Sequence, residues 1–557
     1  MNPLGPAQRV VAALLSLLAG THAATAQTAA RADTLATEYL EAYRARYPES
    51  DPANLDGLFD NGAAAYAAWD RAESGFLQRL RQLVPGLDPA SPEAVTLALL
   101  QERLEMSRQF RSCRRELWNV GPLTGWLNEY RGYAARRVRG GEATLRRWRK
   151  LPAFIEEEIA NLRAGLGAGY SAPRPLVTAA IAQADQVLAL GPTESPFFAP
   201  AAADSLPAFR RAFELLVRDS IAPALRRYRD FLEGEYSPRA RTSVGVGALP
   251  GGAACFQALI RRYTTLDLTP ARLRETGRAL LATDATTSTR QRHAQLIADP
   301  ANHFTTSAEA RDAMRAALQR AATAAPQWFG RLPAVLVPRV DSMPDGGDAD
   351  PDALYVQGDG ATPPTVYVNL PRLLQPGGRL YAERLAFHEG VPGHHFQIAL
   401  ARSADAHPLN RVLANSGFGE GWAVYASNLA EEMRLYSTET TRFPVAASRV
   451  NDGLTFVLQD GLHAQAWSRS QAIDTVLKYS GGGAEEAAQQ VDYFIAAPAH
   501  ALAYPLGARY IEDLRRDAAR RLGSRFDVKA FHDVVLESGA LPLEVLRDVL
   551  DRWIRSR

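Results

Sequence analysis

The sequence predicts a mainly α-helical protein, and three observations lead to this prediction. Apolar residues recur at spacings of three and four over most of segments 30–233 and 411–557, which is typical of amphipathic helices. Only one short segment alternates in the manner of a β-strand. The chain has 557 residues, 46% of them hydrophobic, and is therefore long enough to bury a large core.

The first 26 residues are typical of a secretory signal peptide. A single basic side chain precedes the apolar stretch Val10–Gly20, and the small residues Ala24–Ala26 offer a cleavage site near Ala26. No other stretch reaches the ~18 uninterrupted apolar residues that a membrane-spanning helix requires. We therefore expect a secreted or periplasmic protein with no integral membrane segment in the mature chain.

Charge and cysteine content narrow the possible partners and bonds. The 63 basic and 61 acidic residues leave a net charge of +2, so we expect no nucleic-acid partner. Cys113 and Cys255 are the only cysteines. In an oxidising compartment they could form a disulfide, and two buried thiols are the alternative that the sequence leaves open.

The N-terminal half is predicted to be helical, and two breaks divide the rest. Helical spacing is clearest over Thr34–Arg46, Ala63–Leu83, Ser91–Arg111 and Leu206–Leu232. The Gly- and Pro-containing segment Tyr236–Gly252 is interpreted as a linker, and Asp341–Pro364 as a loop. We therefore expect an N-terminal helical region at 27–240 and a catalytic region at 241–557.

The segment Thr365–Leu370 is the best strand candidate, because β-branched and aromatic residues alternate along it. It precedes the principal motif of the chain. We expect either an edge strand that pairs with an extended peptide, or a strand that only packs. Tyr367 and Asn369 are accordingly candidate substrate-binding residues.

The densest group of chemically active side chains is His-Glu-Gly-Val-Pro-Gly-His-His, residues 388–395. In the H-E-x-x-H helix of zinc peptidases, two His four residues apart share one face and the Glu beside the first is the general base. Here the fourth residue after His388 is Pro392. A metal site in this segment therefore requires a departure from regular helix geometry.

We expect one helix over Arg379–Arg402 that bulges at Pro392 and Gly393. Such a bulge would return His394 to the helical face of His388. His395 is the alternative ligand, because it is close to the phase of His388 without a bulge.

A second helix, predicted over Gly419–Met433, supplies Glu420 as the third ligand. Three protein ligands and one water form the open arrangement of catalytic zinc. Glu389 would then be the general base that takes the proton of that water. The sequence therefore predicts one Zn2+, although other divalent ions suit the same ligands.

Further candidates lie towards the C-terminus. Asp460 and His463 could orient a ligand through a hydrogen bond from outside the metal shell. Tyr504 and His500, the latter seven residues after Tyr493, could stabilise the oxyanion of a tetrahedral intermediate. There is no G-x-S-x-G motif to support a serine nucleophile.

The motifs V-Y-V-N-L, H-E-G-V-P-G-H-H-F-Q, G-E-G-W-A-V-Y, D-G-L-H-A-Q-A-W-S and F-H-D-V-V-L-E-S-G-A-L-P-L carry a family resemblance from about residue 245 onward. The chain resembles the bacterial domain of unknown function 885 family, secreted or lipid-anchored relatives of gluzincin metallopeptidases. The resemblance implies a two-lobed helical shell around a deep active-site groove, similar to angiotensin-converting enzyme and bacterial oligopeptidases and carboxypeptidases, with a small β-sheet next to the zinc helix.

The same resemblance implies His388, one of the paired His and Glu420 as zinc ligands, with Glu389 as base. Dipeptidyl peptidase III offers an analogy for a zinc helix lengthened by an insertion. At residues 498–501 the chain has Pro-Ala-His-Ala, where such proteins usually have Pro-Gly-Gln-Ala.

We therefore expect an exported zinc-dependent metallopeptidase that hydrolyses peptides through a metal-activated water, with Glu389 as general base. The alternatives are a non-catalytic zinc-containing peptide-binding protein and a metal-dependent amidase or esterase acting on a non-peptide substrate. Arg449 and Arg509 are candidates for binding a terminal carboxylate of a peptide, and the sequence leaves open which end of a peptide is recognised.

Overall fold

Helices dominate the structure, as the periodicity predicts. A computed structural model of the chain describes residues 27–51, 53–136, 141–202, 204–284, 287–343, 351–358, 362–404 and 406–557. The predicted signal peptide lies outside these residues. The structure is 73% helical, and the described ranges contain one small sheet, which confirms a mainly α fold with a minor β element.

The described helices are numbered in chain order. They are α1 (27–46), α2 (Ala63–Leu83), α3 (Pro92–Phe110), α4 (Trp126–Arg136), α5 (Glu142–Trp148), α6 (Leu151–Gly167), α7 (Arg174–Leu188), α8 (Ala199–Ala202), α9 (Pro207–Leu216), α10 (Ala222–Phe231), α11 (Gly252–Thr264), α12 (Pro270–Asp284), α13 (Thr287–Ala298), α14 (Ser307–Ala324), α15 (Leu370–Leu373), α16 (Gly378–Glu389), α17 (His394–Ser403), α18 (Leu409–Val412), α19 (Ser416–Glu432), α20 (Glu439–Ala446), α21 (Ser448–His463), α22 (Arg469–Tyr479), α23 (Ala484–Ala496), α24 (Ala503–Leu522), α25 (Val528–Glu537) and α26 (Leu543–Arg555). None of them is both long and apolar enough to cross a membrane.

The N-terminal helices follow the predicted pattern closely. Helix α2 has the predicted bounds. Helix α3 starts directly after Ser91, whose hydroxyl accepts a hydrogen bond from the backbone N–H of Ala94 at 3.1 Å and so satisfies one unpaired donor of the first turn. The predicted helix Leu206–Leu232 is α9 and α10 joined by the π-helical turn Val217–Ile221.

The sheet differs from the prediction in one respect that bears on function. Its strands are β1 (Arg339–Ser342), β2 (Ala353–Val356) and β3 (Thr365–Val368), in the order β1-β3-β2. Strand β3 pairs with β1 in parallel and with β2 antiparallel. Of the two alternatives for Thr365–Leu370, the edge strand is therefore wrong, because β3 is the central strand. The predicted loop Asp341–Pro364 contains β2, which the sequence analysis did not predict.

The clusters of the hydrophobic core do not coincide with the two regions predicted from the sequence. The largest cluster joins α1–α3 to α14, α16, α17, α19, α24–α26 and the sheet. Most of the described buried apolar residues between Val120 and Ala240 form a second cluster. The segment interpreted as a linker packs tightly against α21: Val246 is buried, and a Cβ at Gly245 would lie 1.9 Å from the carbonyl oxygen of Leu462. Residues near both ends of the chain therefore share the core that surrounds α16 and α19.

Cys113 and Cys255 form a disulfide, with an S–S distance of 2.11 Å and a Cα–Cα distance of 4.5 Å. The bond joins the turn that follows α3 to α11. It fixes the N-terminal helices to the half of the chain that carries the principal motif.

We predict that the double replacement Cys113→Ser and Cys255→Ser lowers the free energy of unfolding by about 4–5 kcal/mol. The two cysteines are 142 residues apart, and closing so long a loop removes much conformational entropy from the unfolded chain. Urea titrations of the variant and of the oxidised wild type measure the difference. Equal midpoints would show that the bond adds nothing to stability.

Candidate metal centre

The principal motif does not form one bulged helix. Helix α16 ends at Glu389 and α17 begins at His394, so residues 390–393 break the helix completely. The prediction of a continuous helix over Arg379–Arg402 is therefore wrong. A Cβ at Gly393 would lie only 1.8 Å from the carbonyl oxygen of His388, so only glycine fits where the chain turns back. The turn places His394 beside His388 at the junction of two helices.

A buried indole fixes this turn to α19. The Nε1–H of Trp422 donates a hydrogen bond to the carbonyl oxygen of Pro392 at 2.9 Å, and the Trp422 side chain is fully buried. The indole also packs against the ring of His532 at a centroid distance of 5.9 Å. The neutral His532 ring in turn accepts a hydrogen bond from Tyr425, also on α19. These contacts fix the position of the turn at residues 390–393 relative to α19.

Glycines bring α19 unusually close to α24. A Cβ at Gly421 would lie 2.5 Å from the Cα of Gly507, and a Cβ at Gly507 would lie 1.9 Å from the carbonyl oxygen of Gly417. Because α19 starts at Ser416 rather than at the predicted Gly419, Glu420 lies in its second turn. The crossing brings this carboxylate near the start of α24.

The side chains of four predicted residues converge at this crossing. The Nε2 atoms of His388 and His394 each lie 3.4 Å from the same carboxylate oxygen, Oε2 of Glu420. Glu389 Oε1 lies 4.0 Å from His388 Nε2. The side chains of His388, His394 and Glu420 are 14%, 15% and 22% exposed, so the cluster is mostly buried but reachable from solvent.

The spacing of these atoms fits a tetrahedral metal. Donor atoms around zinc lie about 3.3–3.6 Å apart when metal–ligand bonds are about 2.0–2.2 Å. The two separations of 3.4 Å fall in that range. Donor atoms of His388, Glu389 and His394 also lie within 4.8 Å of one another. Glu420 is a better candidate than Glu389 for a third ligand, because one of its oxygens is equidistant from both imidazoles.

The side chains of the cluster stabilise the charged forms of His394 and Glu420. Burial opposes the charge on His394, but the hydrogen bond to Glu420 and the negative charges of Glu420 and Glu389 outweigh it and raise the pKa of His394 to about 9. Burial would raise the pKa of Glu420, yet the hydrogen bonds from His388 and His394 hold it well below its usual range. The carboxylate is therefore an anion in the site.

His395 lies outside the donor cluster. Its Nδ1 lies 2.9 Å from the Tyr355 hydroxyl and its Nε2 lies 2.7 Å from the carbonyl oxygen of Val335. Both ring nitrogens are therefore engaged, and the side chain is fully buried. The contacts attach α17 to β2, which carries Tyr355. His395 therefore holds α17 against the sheet, and neither of its ring nitrogens is available to a metal.

Tyr504 and His500 lie beside the cluster. The Tyr504 ring stacks on that of His388 at a centroid distance of 6.1 Å, and burial and the charge of Glu420 raise the pKa of the Tyr504 hydroxyl well above its usual value. The His500 ring lies 5.9 Å from that of Tyr504, and its Nδ1 lies 2.6 Å from the Tyr493 hydroxyl. Burial lowers the pKa of His500, so the ring is neutral.

Asp460 and His463 have other partners. Asp460 Oδ2 accepts a hydrogen bond from Arg274 at 3.0 Å. His463 Nδ1 accepts from the backbone N–H of Val246 at 3.3 Å, and its Nε2 lies 3.1 Å from the carbonyl oxygen of Phe494. Within the described residues, these contacts do not connect Asp460 or His463 to the His–Glu cluster.

Of the two candidate substrate-binding residues, one lies in the sheet and the other directly follows strand β3. Tyr367 is in the central strand β3, opposite Leu354 of β2. Asn369 is fully buried, and its side chain caps the short helix α15 by accepting from the backbone N–H of Arg372. Asn369 therefore has a structural role, and the structure does not bring either residue into the His–Glu cluster.

Sequence reasoning missed two features of the site. Tyr263 of α11 packs edge-on against His500 at a centroid distance of 5.0 Å, although it lies far away in the chain. The close crossing of α19 and α24 was also missed, although glycines at 417, 419 and 421 are a visible signal of it.

We predict that Gly421→Ala lowers the free energy of unfolding by about 1–3 kcal/mol, because the added methyl meets the backbone of α24. Gly419→Ala is the matched control. Its Cβ meets nothing within 4 Å, so the same change in the same helix should stabilise the protein by about 0.5–1 kcal/mol. Urea titrations measure both values, and equal effects would argue against a tight crossing.

Two solved structures share this fold. A candidate lipoprotein from Colwellia psychrerythraea superposes with a TM-score of 0.82 at 20% sequence identity, covering 95% of this chain and 100% of that one. A candidate lipoprotein of unknown function from Shewanella oneidensis superposes with a TM-score of 0.65 at 16% identity, covering 92% and 98%. At these identities the likeness shows the fold alone.

Comparison of the sequence is informative at the family level. No curated protein matches the chain. The family of bacterial proteins of unknown function DUF885 matches residues 40–550, which span most of the chain and include the whole His–Glu cluster. The chain therefore belongs to the DUF885 family.

Proposed function

We propose that the protein is an exported zinc-dependent metallopeptidase related to the gluzincins. One observation carries the proposal: a single oxygen of Glu420 lies 3.4 Å from the Nε2 atoms of both His388 and His394. Two imidazoles and one carboxylate, with a fourth position open, form the ligand set of hydrolytic zinc sites. A zinc ion bound there would polarise a carbonyl group and lower the pKa of a water.

Glu389 is the proposed general base. Its side chain is only 8% exposed, and it follows His388 at the end of α16. Its carboxylate would take a proton from the attacking water and deliver it to the leaving amine. Because Glu420 occupies the ligand position, Glu389 remains available for proton transfer.

Two neighbouring side chains can donate hydrogen bonds to the oxyanion. The high pKa of Tyr504 keeps its hydroxyl protonated at neutral pH; this hydroxyl is hydrogen-bonded to Glu420 in the structure and would turn to the oxyanion once Glu420 binds the metal. His500 is neutral, and if its Nδ1 accepts from the Tyr493 hydroxyl, the proton resides on Nε2, which is then a donor. Each such donor, aimed at the developing charge, stabilises the transition state.

Export is supported by two independent observations. The first 26 residues have the composition of a signal peptide, and both superposed relatives are described as candidate lipoproteins. The disulfide between Cys113 and Cys255 agrees with an oxidising compartment. We therefore propose a periplasmic or secreted location.

We predict that Glu389→Gln reduces peptide hydrolysis at least about a hundredfold, because the amide cannot take the proton, while the bound metal is retained. Wild type and variant are incubated with a mixed peptide library, and products are identified by mass spectrometry. Cleavage by both proteins at equal rates would refute the role of Glu389.

The same measurement separates the alternatives. Binding of peptides without any product from the metal-loaded wild type would indicate a peptide-binding protein. Hydrolysis of small amides or esters without hydrolysis of peptides would indicate the non-peptide substrate class.

A further inference from the structure

A second polar feature lies one helical turn from Glu420. A cavity of about 100 Å³ is lined by Arg103, Arg262, Tyr263, Asn415 and Ser416, among others; we call it the arginine cavity. Ser416 and Glu420 are four residues apart in α19, so they share a face and are separated by about 6 Å along the axis. The cavity is therefore adjacent to the His–Glu cluster.

Aromatic rings connect the two sites. From His388 the row runs through Tyr504 at 6.1 Å, then His500 at 5.9 Å from Tyr504, and then Tyr263 at 5.0 Å from His500, all measured between ring centroids. Tyr263 itself lines the cavity. This row of rings therefore begins in the cluster and ends in the wall of the cavity.

The cavity has two guanidinium groups, and Arg262 is the less compensated of the two. Arg103 has a side-chain hydrogen bond with Tyr39, and despite burial nearby tyrosines and Glu73 raise its pKa, whereas the pKa of Arg262 is lowered. Neither Arg103 nor Arg262 forms an ion pair in the described part of the chain, and Arg103 Nε is buried without a hydrogen-bond partner. The one acidic lining residue, Glu102, is engaged by Arg261, whose Nη2 lies 2.6 Å from Glu102 Oε2. Glu73, also close to Arg103, pairs with Arg111 at 2.7 Å.

The two guanidinium groups also repel each other. Burial and the positive charge of Arg103 lower the pKa of Arg262. Arg262 Cζ lies over the Phe110 ring at 4.5 Å, so a cation–π contact holds the guanidinium in place. Arg115, which lies near Arg262 but does not line the cavity, has the neutral side chains of Asn119 and Thr124 as partners. Arg262 is half-buried and has no counterion among the described residues, and such a charge favours a bound anion.

The scaffold around the cavity is rigid. Arg103 is on α3 and Arg262 on α11, and the Cys113–Cys255 disulfide joins the turn after α3 to α11. By contrast, Arg449 is exposed and pairs with Asp284 at 3.0 Å. The structure therefore favours the arginine cavity over Arg449 as a preformed site for an anion.

We propose that the arginine cavity binds the C-terminal carboxylate of the peptide that the metal centre hydrolyses. An extended chain advances about 3.3–3.6 Å per residue, so this anchor places the scissile bond within about five residues of the C-terminus. The substrate class is then peptides with a free C-terminus, and the products are short C-terminal fragments. This inference rests on the proposed peptidase function.

Binding measurements test the anchor without requiring turnover. Three fluorescent peptides share one sequence: a free acid, a C-terminal amide, and an amide with Asp as last residue. Their affinities for the zinc-loaded Glu389→Gln protein are measured by anisotropy. We expect the free acid to bind on the order of tenfold to a hundredfold more tightly than the plain amide, as for a charge-assisted hydrogen-bonded pair.

Matched arginine variants identify the site. Adding Arg262→Gln or Arg103→Gln to the Glu389→Gln protein should abolish the preference for the free acid. Arg272→Gln, the same change at an exposed arginine of α12 paired with Glu275, should leave it unchanged. Circular dichroism verifies folding, and Arg262→Lys, which keeps the charge, should retain part of the preference.

Each outcome decides the inference. Equal affinity for free acid and plain amide, or no binding of either, would overturn it. Equal affinity for the free acid and the Asp-amide would also overturn it, because the cavity would then recognise a side-chain carboxylate. Wild-type hydrolysis of free acid and amide at equal rates would reject the anchor and leave the peptidase proposal intact. Absence of hydrolysis, with the binding preference present, would reject only the peptidase proposal.

Discussion

The hydrogen bond from the Trp422 indole to the carbonyl oxygen of Pro392, 2.9 Å long, connects the two parts of the chain that build the site. On one side is the turn that separates α16 from α17, and on the other is α19, which carries Glu420. The positions of His388 and His394 relative to Glu420 therefore depend on a buried aromatic side chain that takes no part in the chemistry.

Glycine governs the rest of the geometry. At Gly393 the absence of a side chain lets the backbone pass His388, and at Gly421 it lets α19 approach α24. The first contact brings two imidazoles together, and the second brings Tyr504 to the carboxylate. In this way four charged or polar groups are held in a site that is mostly buried, where their mutual interactions are stronger than in water.

The sequence located the candidate site better than it predicted the geometry of that site. Three His and one Glu within eight residues, followed by Glu420, were sufficient to locate the cluster, and three- and four-residue spacing located the long helices. Whether Pro392 and Gly393 bulge or break the helix depends on packing against Trp422, which no local pattern reports. The same holds for His394 against His395, since the contacts of His395 come from Tyr355 and Val335. Strands of four residues and a cavity built from α3 and α11 also depend on tertiary contacts.

The metal content of two matched variants tests the central claim most directly. His394→Gln and His395→Gln proteins are loaded with zinc, dialysed and assayed by elemental mass spectrometry beside the wild type, with circular dichroism to verify folding. The account predicts about one zinc per wild-type chain, its loss in His394→Gln and its retention in His395→Gln. Loss in His395→Gln with retention in His394→Gln, or no zinc in the folded wild type, would contradict it.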